Sequence, residues 1–278
     1  MQTIKNPAGN FRRDFVLKPD AFFIRILIQI VLMLLLSKRN SFIMLLLFIA
    51  TVFQTILSCS KPNNEYMPST IISQTDTGKT YLALGDSYTI GESVAVSDRY
   101  PVQAVKMLKA NNISFQNPEI IATTGWMTAD LLSAVNNHQL KNNFDLVSLL
   151  IGVNNQYQGR SQSEYNTQFT TLLQKSIQLA GNNSSHVIVL SIPDYSVTPF
   201  ARGSDTAFIA KQIDSFNLIN KTIAEEYKVR YINVTDESRK AAHDASLIAG
   251  DGLHFSGKEY SVWASMLVDE VKKMQSGH

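Results

Sequence analysis

With 278 residues, 45% hydrophobic and 17% charged, the chain has the makeup of one catalytic-size globular domain and leaves little room for a second. Its formal net charge of +2 comes from the first 58 residues, which carry seven Lys or Arg against two acidic side chains. The remainder has 18 basic and 21 acidic groups and no basic run with interleaved aromatics, which excludes a nucleic-acid binder. The one cysteine, Cys59, excludes an intramolecular disulfide and a thiol-rich metal site.

Residues 1–58 read as signal or membrane segments. Two apolar stretches, Ala21 to Leu36 and Phe42 to Leu57, flank the basic segment Ser37 to Ser41, and each is near the short limit of about 20 residues for crossing a bilayer. The second has the order of an export signal: Lys38 and Arg39, an apolar run, then Ile56-Leu57-Ser58-Cys59. It resembles a bacterial lipoprotein signal, which implies that Cys59 carries the lipid and begins the mature chain, anchored to a membrane of the cell envelope and exported. The alternative is an amino-terminal transmembrane anchor. The first stretch is either a further membrane segment or sequence upstream of a start at Met33 or Met44. Residues 59–79, polar and proline-containing, then form a flexible tether.

From residue 80 to 278 short apolar runs alternate with amphipathic stretches, the pattern of an α/β domain with a parallel sheet. Strands are predicted at Tyr81 to Gly85, Glu119 to Thr123, Phe144 to Ile151, Val187 to Ile192 and Val229 to Val234. Helices are predicted at Pro101 to Ala110, from a cap at Thr128 to Asn137, Ser161 to Leu179, Asp205 to Tyr227, and from a cap at Ser256 to Met274. Five strands with helices enough for both faces give a three-layer α/β/α architecture. Ligands of such sheets sit beyond the carboxyl ends of the strands.

The polar motifs fall on that edge. Gly85-Asp86-Ser87-Tyr88 follows the first strand, Thr124-Gly125-Trp126 the second and Gly152-Val153-Asn154-Asn155 the third; Asp251-Gly252-Leu253-His254 lies beyond the fifth. A serine hydroxyl becomes a nucleophile when a base takes its proton and an acceptor holds that base in the right tautomer. Ser87, His254 and Asp251 supply these three parts, and a turn across the three-residue separation brings the carboxylate to the ring. The N–H groups of Ser87 and Gly125 and the amide of Asn154 supply oxyanion donors, and Gly125 leaves the backbone open to substrate.

Together these four ordered blocks, from Tyr81 to about Met274, resemble the SGNH or GDSL hydrolases. The resemblance implies a flavodoxin-like fold, catalysis by Ser87, Asp251 and His254, and an oxyanion hole of Ser87, Gly125 and Asn154. Two residues depart from it: Tyr88 stands where the family name has Leu, and Asn155 where many members have Asp. The α/β-hydrolase scaffold fits worse, because Gly-x-Ser-x-Gly is absent (residue 89 is Thr) and the acid lies only three residues before His254.

Tyr88, Trp126 and Asn155 adjoin the site as pocket residues or as packing, and Pro193-Asp194-Tyr195 at the end of the fourth strand forms a pocket wall unless Asp194 is only a turn residue. Asp86 fixes the nucleophile turn. His138, His186, His243 and His278 read as surface or loop residues. No metal-ligand spacing and no phosphate loop occurs, so neither metal nor cofactor is expected. The expected activity is hydrolysis of acyl esters through an acyl-enzyme. Acetylated glycans, short acyl esters and lysophospholipids are the substrate classes considered, and the short loops favour small or exposed acyl groups. The alternative is a catalytically silent cell-surface lipoprotein that binds glycan or lipid.

Overall fold

Apolar runs of four or five residues between turns are too short for helices and too apolar for a half-exposed sheet, so they pair in parallel with both faces covered. The computed structural model, which describes residues 78–276, forms this arrangement. Strands β1 (Tyr81–Gly85), β2 (Glu119–Ala122), β3 (Leu146–Leu150), β4 (Val187–Leu190) and β5 (Arg230–Ile232) make one sheet in the order β2-β1-β3-β4-β5. Every neighbouring pair is parallel.

Leu84, Leu149 and Val189 lie side by side across the three central strands and are all fully buried. Each such aliphatic side chain contributes roughly 1.5–3 kcal/mol on burial. The edge strands β2 and β5 are partly exposed.

The helices, in chain order, are α1 (Ser87–Ile90), α2 (Tyr100–Ala110), α3 (Thr128–Asn137), α4 (Val153–Tyr157), α5 (Gln162–Leu179), α6 (Thr206–Glu226), α7 (Thr235–Ser238) and α8 (Gly257–Ser276). Helices α2 and α8 pack on each other over one face of the sheet. The row α3, α5, α6 covers the other. This is the three-layer, flavodoxin-like fold expected, and its strand order reverses between β1 and β3, where a crevice opens at the carboxyl ends of the strands.

Local differences from the sequence reading have physical causes. Helices α1, α4 and α7 are one turn or little more, below the length at which apolar periodicity is visible. Thr128 is the first helical residue of α3 rather than its cap, because its hydroxyl turns inward to Gln168 and to Asn155 Nδ2 (2.7 Å). The cap position is Met127, whose N–H donates to Asp130 Oδ2 at 2.9 Å.

Lys79, placed in the tether from sequence, pairs with Phe115 beside β1. Residues 1–58, expected to be signal or membrane segments, Cys59 and the expected tether through residue 77 lie outside the described residues, as does His278. Among the described residues no helix is long and apolar enough to cross a membrane.

Candidate active site

Strand β1 delivers the chain to Asp86, the N-cap of the one-turn helix α1. Its Oδ1 accepts the Tyr88 N–H at 3.1 Å, and its carbonyl accepts from Thr89 and Ile90 at 3.1 and 3.0 Å. Ser87 is therefore the first helical residue. N–H groups in a first turn have no partner inside the helix, so that of Ser87 is available as a donor. Asp86 is fully buried, and burial pushes its carboxyl up to about 7 against the opposing pull of the N–H groups of Tyr88, Asp86 and Gly152. Its Oδ2 has no hydrogen-bond partner.

Two glycine-dependent turns bring Gly125 and Asn154, the other donors expected from sequence, to the same place. Gly125, after β2, has φ +85, and a Cβ there would meet nothing within 4 Å. Backbone conformation alone demands glycine at that position, and the space over it is open.

Gly152, after β3, has φ +134, and a Cβ there would lie 2.6 Å from the Tyr165 ring and 2.7 Å from Ile192 Cδ1. Tyr165 is fixed there by its own hydroxyl, which donates to Ile151 O at 3.0 Å. Gly152 caps α4, so this crowded turn sets the position of Asn154 two residues on. Asn154 Nδ2 donates to Trp126 O at 3.0 Å. That bond fixes which end of the amide is nitrogen and leaves its second hydrogen for a ligand.

Asp251 and His254, the acid and base expected from sequence, share one turn. Asp251 Oδ1 accepts the N–H groups of Leu253 (2.9 Å) and His254 (3.0 Å), and Oδ2 lies 2.6 Å from His254 Nδ1. The three-residue separation is thus that of an Asx turn, completed by Gly252 at φ +71. A third donor, Ser93 Oγ, reaches Oδ2 at 2.6 Å.

Partial burial would raise the Asp251 carboxyl. The bonds from Ser93, His254 and the two backbone N–H groups outweigh it and hold the carboxyl well below the usual range. An ionised Asp251 can only accept, so Nδ1 carries the proton and Nε2 keeps the lone pair of a base. The ring of His254 stands edge-on to Tyr88 at 5.6 Å. Tyr88 in turn packs on Phe255 and Trp263, at 5.9 and 6.2 Å.

Residues 83–262 match the model of the GDSL-like Lipase/Acylhydrolase family. The chain belongs to that family. Its members are acyl-ester hydrolases, and the four motif blocks on the sheet edge are those by which the sequence resembled them. No curated protein is significantly similar to the chain in sequence.

Among solved structures, a lipase/acylhydrolase from Enterococcus faecalis is 20% identical, with 70% of this chain and 96% of that one covered and a TM-score of 0.54. The acetylxylan esterase Axe2 from Geobacillus stearothermophilus is 18% identical over 70% and 96% of the two chains, TM-score 0.56. A member of the lipolytic protein G-D-S-L family from Veillonella parvula is 17% identical over 69% and 97%, TM-score 0.53. At these identities the likeness speaks for the fold.

In this GDSL-like chain Ser87, Gly125, Asn154 and His254 line one cavity of about 150 Å³, with Tyr157, Tyr195 and Phe200 on its wall. Of the four residues suggested from sequence as pocket-lining, Tyr88 alone lines it. Trp126 packs against the core and contributes its carbonyl to Asn154. Asn155 is buried and joins α4 to α3, its Oδ1 accepting the Thr128 N–H at 3.0 Å. Asp194, also buried, accepts from Ser196 N at 2.8 Å and Arg239 Nε at 2.8 Å, so it is a turn residue and an ion-pair partner rather than a wall.

Of the aromatic wall, sequence reasoning found Tyr195, through the segment Pro193-Asp194-Tyr195, and missed Tyr157 and Phe200. Tyr157 falls three residues after Asn154 on α4, a spacing that shares a helix face, but Phe200 comes from irregular backbone after β4 and had no periodic signal.

Proposed function

We propose that the protein is a serine esterase that transfers short acyl groups from an alcohol to Ser87 and then to water. The observation that carries this reading is the meeting of Ser87, Gly125, Asn154 and His254 on one cavity, with Asp251 bonded to the far nitrogen of His254. In this mechanism Ser87 Oγ attacks the ester carbonyl carbon as His254 Nε2 takes its proton. The oxyanion that forms accepts from the N–H groups of Ser87 and Gly125 and from the Asn154 amide. The C–O bond to the alcohol then breaks, and His254 returns the proton to the leaving oxygen. Water, losing its proton to His254, attacks the acyl carbon; the acid departs and Ser87 regains its hydrogen.

The size of the cavity supports a small acyl group. Pockets for drug-sized ligands run from about 300 to 1,000 Å³, whereas this one holds about 150 Å³, room for an acyl chain of a few carbons. The alcohol must leave by the open side, where Tyr157 and Phe200 are 59% and 47% exposed and contact each other at 6.0 Å, both resting on the buried Tyr195. Such flat, rigid apolar faces suit the ring of a sugar, and the acetylxylan esterase activity named for the Geobacillus structure is of this kind. Acetylated glycan is the substrate class we favour. A lipid anchor at Cys59 would put the enzyme in the cell envelope, where such polymers lie.

The test is hydrolysis of p-nitrophenyl esters from acetate to long chains by the purified full-length chain in mild detergent, beside Ser87→Ala. We expect turnover to be highest for acetate to butyrate and to vanish in the variant. Equal rates at long chain lengths, or activity that survives the substitution, would overturn the reading.

A further inference from the structure

The segment that follows the nucleophile helix, Gly91-Glu92-Ser93, reaches two other parts of the site. Ser93 is one of four non-glycine residues among those described with positive φ, at +64, a conformation rarely adopted by residues with a side chain. From that backbone its hydroxyl donates to Asp251 Oδ2 at 2.6 Å, across 158 residues of sequence, on the same oxygen that binds His254 Nδ1. Its neighbour Glu92 accepts from Thr124 Oγ1 at 2.5 Å, and Thr124 precedes the oxyanion residue Gly125. The Glu92 N–H is itself held by Ser87 O at 2.9 Å. An exposed serine that satisfied itself with water would need none of this, and a glycine would adopt the backbone more cheaply.

The geometry points to Ser93 as a positioning residue of the acid–base pair: its hydroxyl aims Asp251 Oδ2 at His254 and limits how strongly that carboxylate attracts the imidazole proton. Glu92 ties the same loop to the oxyanion arm. This inference rests on the esterase reading for its kinetic test. Electrostatically, Asp251 is coupled to His254 and to the phenols of Tyr88 and Tyr260, which burial keeps neutral. With one donor removed, Asp251 Oδ2 is held by His254 Nδ1 alone and loses the contact that aims it.

Two variants separate the hydroxyl from the backbone. Ser93→Ala removes the hydroxyl and keeps the strained conformation; Ser93→Gly removes the hydroxyl and relieves the strain. Both should lower kcat on p-nitrophenyl acetate about 5- to 10-fold and leave KM unchanged. Ser93→Gly should melt no lower than the parent. Wild-type kcat in Ser93→Gly would overturn the proposal.

A readout that needs no turnover is the low-field proton resonance of His254 Nδ1–H, which should shift in both variants. An unchanged resonance counts against Ser93 whatever the activity. An inactive parent whose resonance still shifts in the variants would fail the esterase reading alone.

Discussion

The carboxyl of Asp86 offers a test in which sign and size both follow from its surroundings. It is fully buried, one oxygen occupied by the Tyr88 N–H and the other without a partner, and its pKa is pushed up to about 7. In the unfolded chain it ionises near 4. Below pH 4 both states hold the proton on Asp86, and this carboxyl takes nothing from the stability of the folded protein. Between pH 4 and 7 the unfolded state releases a proton that the native state retains, so stability falls as pH rises; above 7 the loss is complete. Three pK units correspond to about 4 kcal/mol.

Asp86→Asn keeps an oxygen for the Tyr88 N–H, and so the cap, but cannot titrate. Its stability relative to the parent should therefore rise by about 4 kcal/mol between pH 4 and pH 8. Urea titrations of both proteins at unit intervals of pH measure the difference directly. Asp251 works in the opposite sense: its depressed carboxyl supplies stability above pH 4 that is lost on acidification, in parent and variant alike. Stability curves for the two proteins that stay parallel from pH 4 to 8 would refute the argument about Asp86.

Three further outcomes test other parts of the site. Asn154→Ala should reduce kcat by about 10²- to 10³-fold with little change in KM, because its amide is proposed to bind charge that exists only in the transition state; steady-state kinetics on p-nitrophenyl acetate decide. Gly152→Ala combines a strained φ of +134 with contacts below 2.9 Å to Tyr165 and Ile192, a cost of about 3 kcal/mol or more that a denaturant midpoint would register. Tyr157→Ala and Phe200→Ala should raise KM on an acetylated oligosaccharide several-fold while leaving p-nitrophenyl acetate nearly unaffected. Equal effects on both substrates would remove the sugar platform.

The fold was legible because a buried parallel sheet writes itself as unbroken apolar runs. Leu146 to Leu150 and Val187 to Leu190 contain almost nothing else, and Leu149 pairs in register with Leu84 on one side and Val189 on the other. The motif blocks were legible for a related reason: three of the four sit where a strand ends and the backbone must turn, which leaves polar residues and glycines clustered in short stretches. Less visible was what each polar residue beside a motif does. Asn155 and Asp194 neighbour the site in sequence, but α4 turns Asn155 toward Thr128, and Arg239, 45 residues away, claims Asp194. Partners at such distances leave no local pattern, and the same holds for Ser93, whose bond to Asp251 joins two loops with no periodicity.

Tyr88, which replaces the Leu of the family name, shows how one departure can be absorbed and put to use. A tyrosine ring needs more room than leucine, and it finds that room against Phe255 and Trp263, all three rings buried. Trp263 is anchored from below by Glu259, whose Oε1 accepts its indole N–H at 2.7 Å. The upper edge of this stack is the face on which His254 rests. A base that hangs from a single carboxylate can still swing about that bond, whereas one also packed edge-on against a fixed ring cannot do so without losing contact. His254 is therefore constrained twice, by Asp251 at Nδ1 and by Tyr88 beside the ring. The residue that departs from the family pattern contributes to the geometry that the pattern exists to secure.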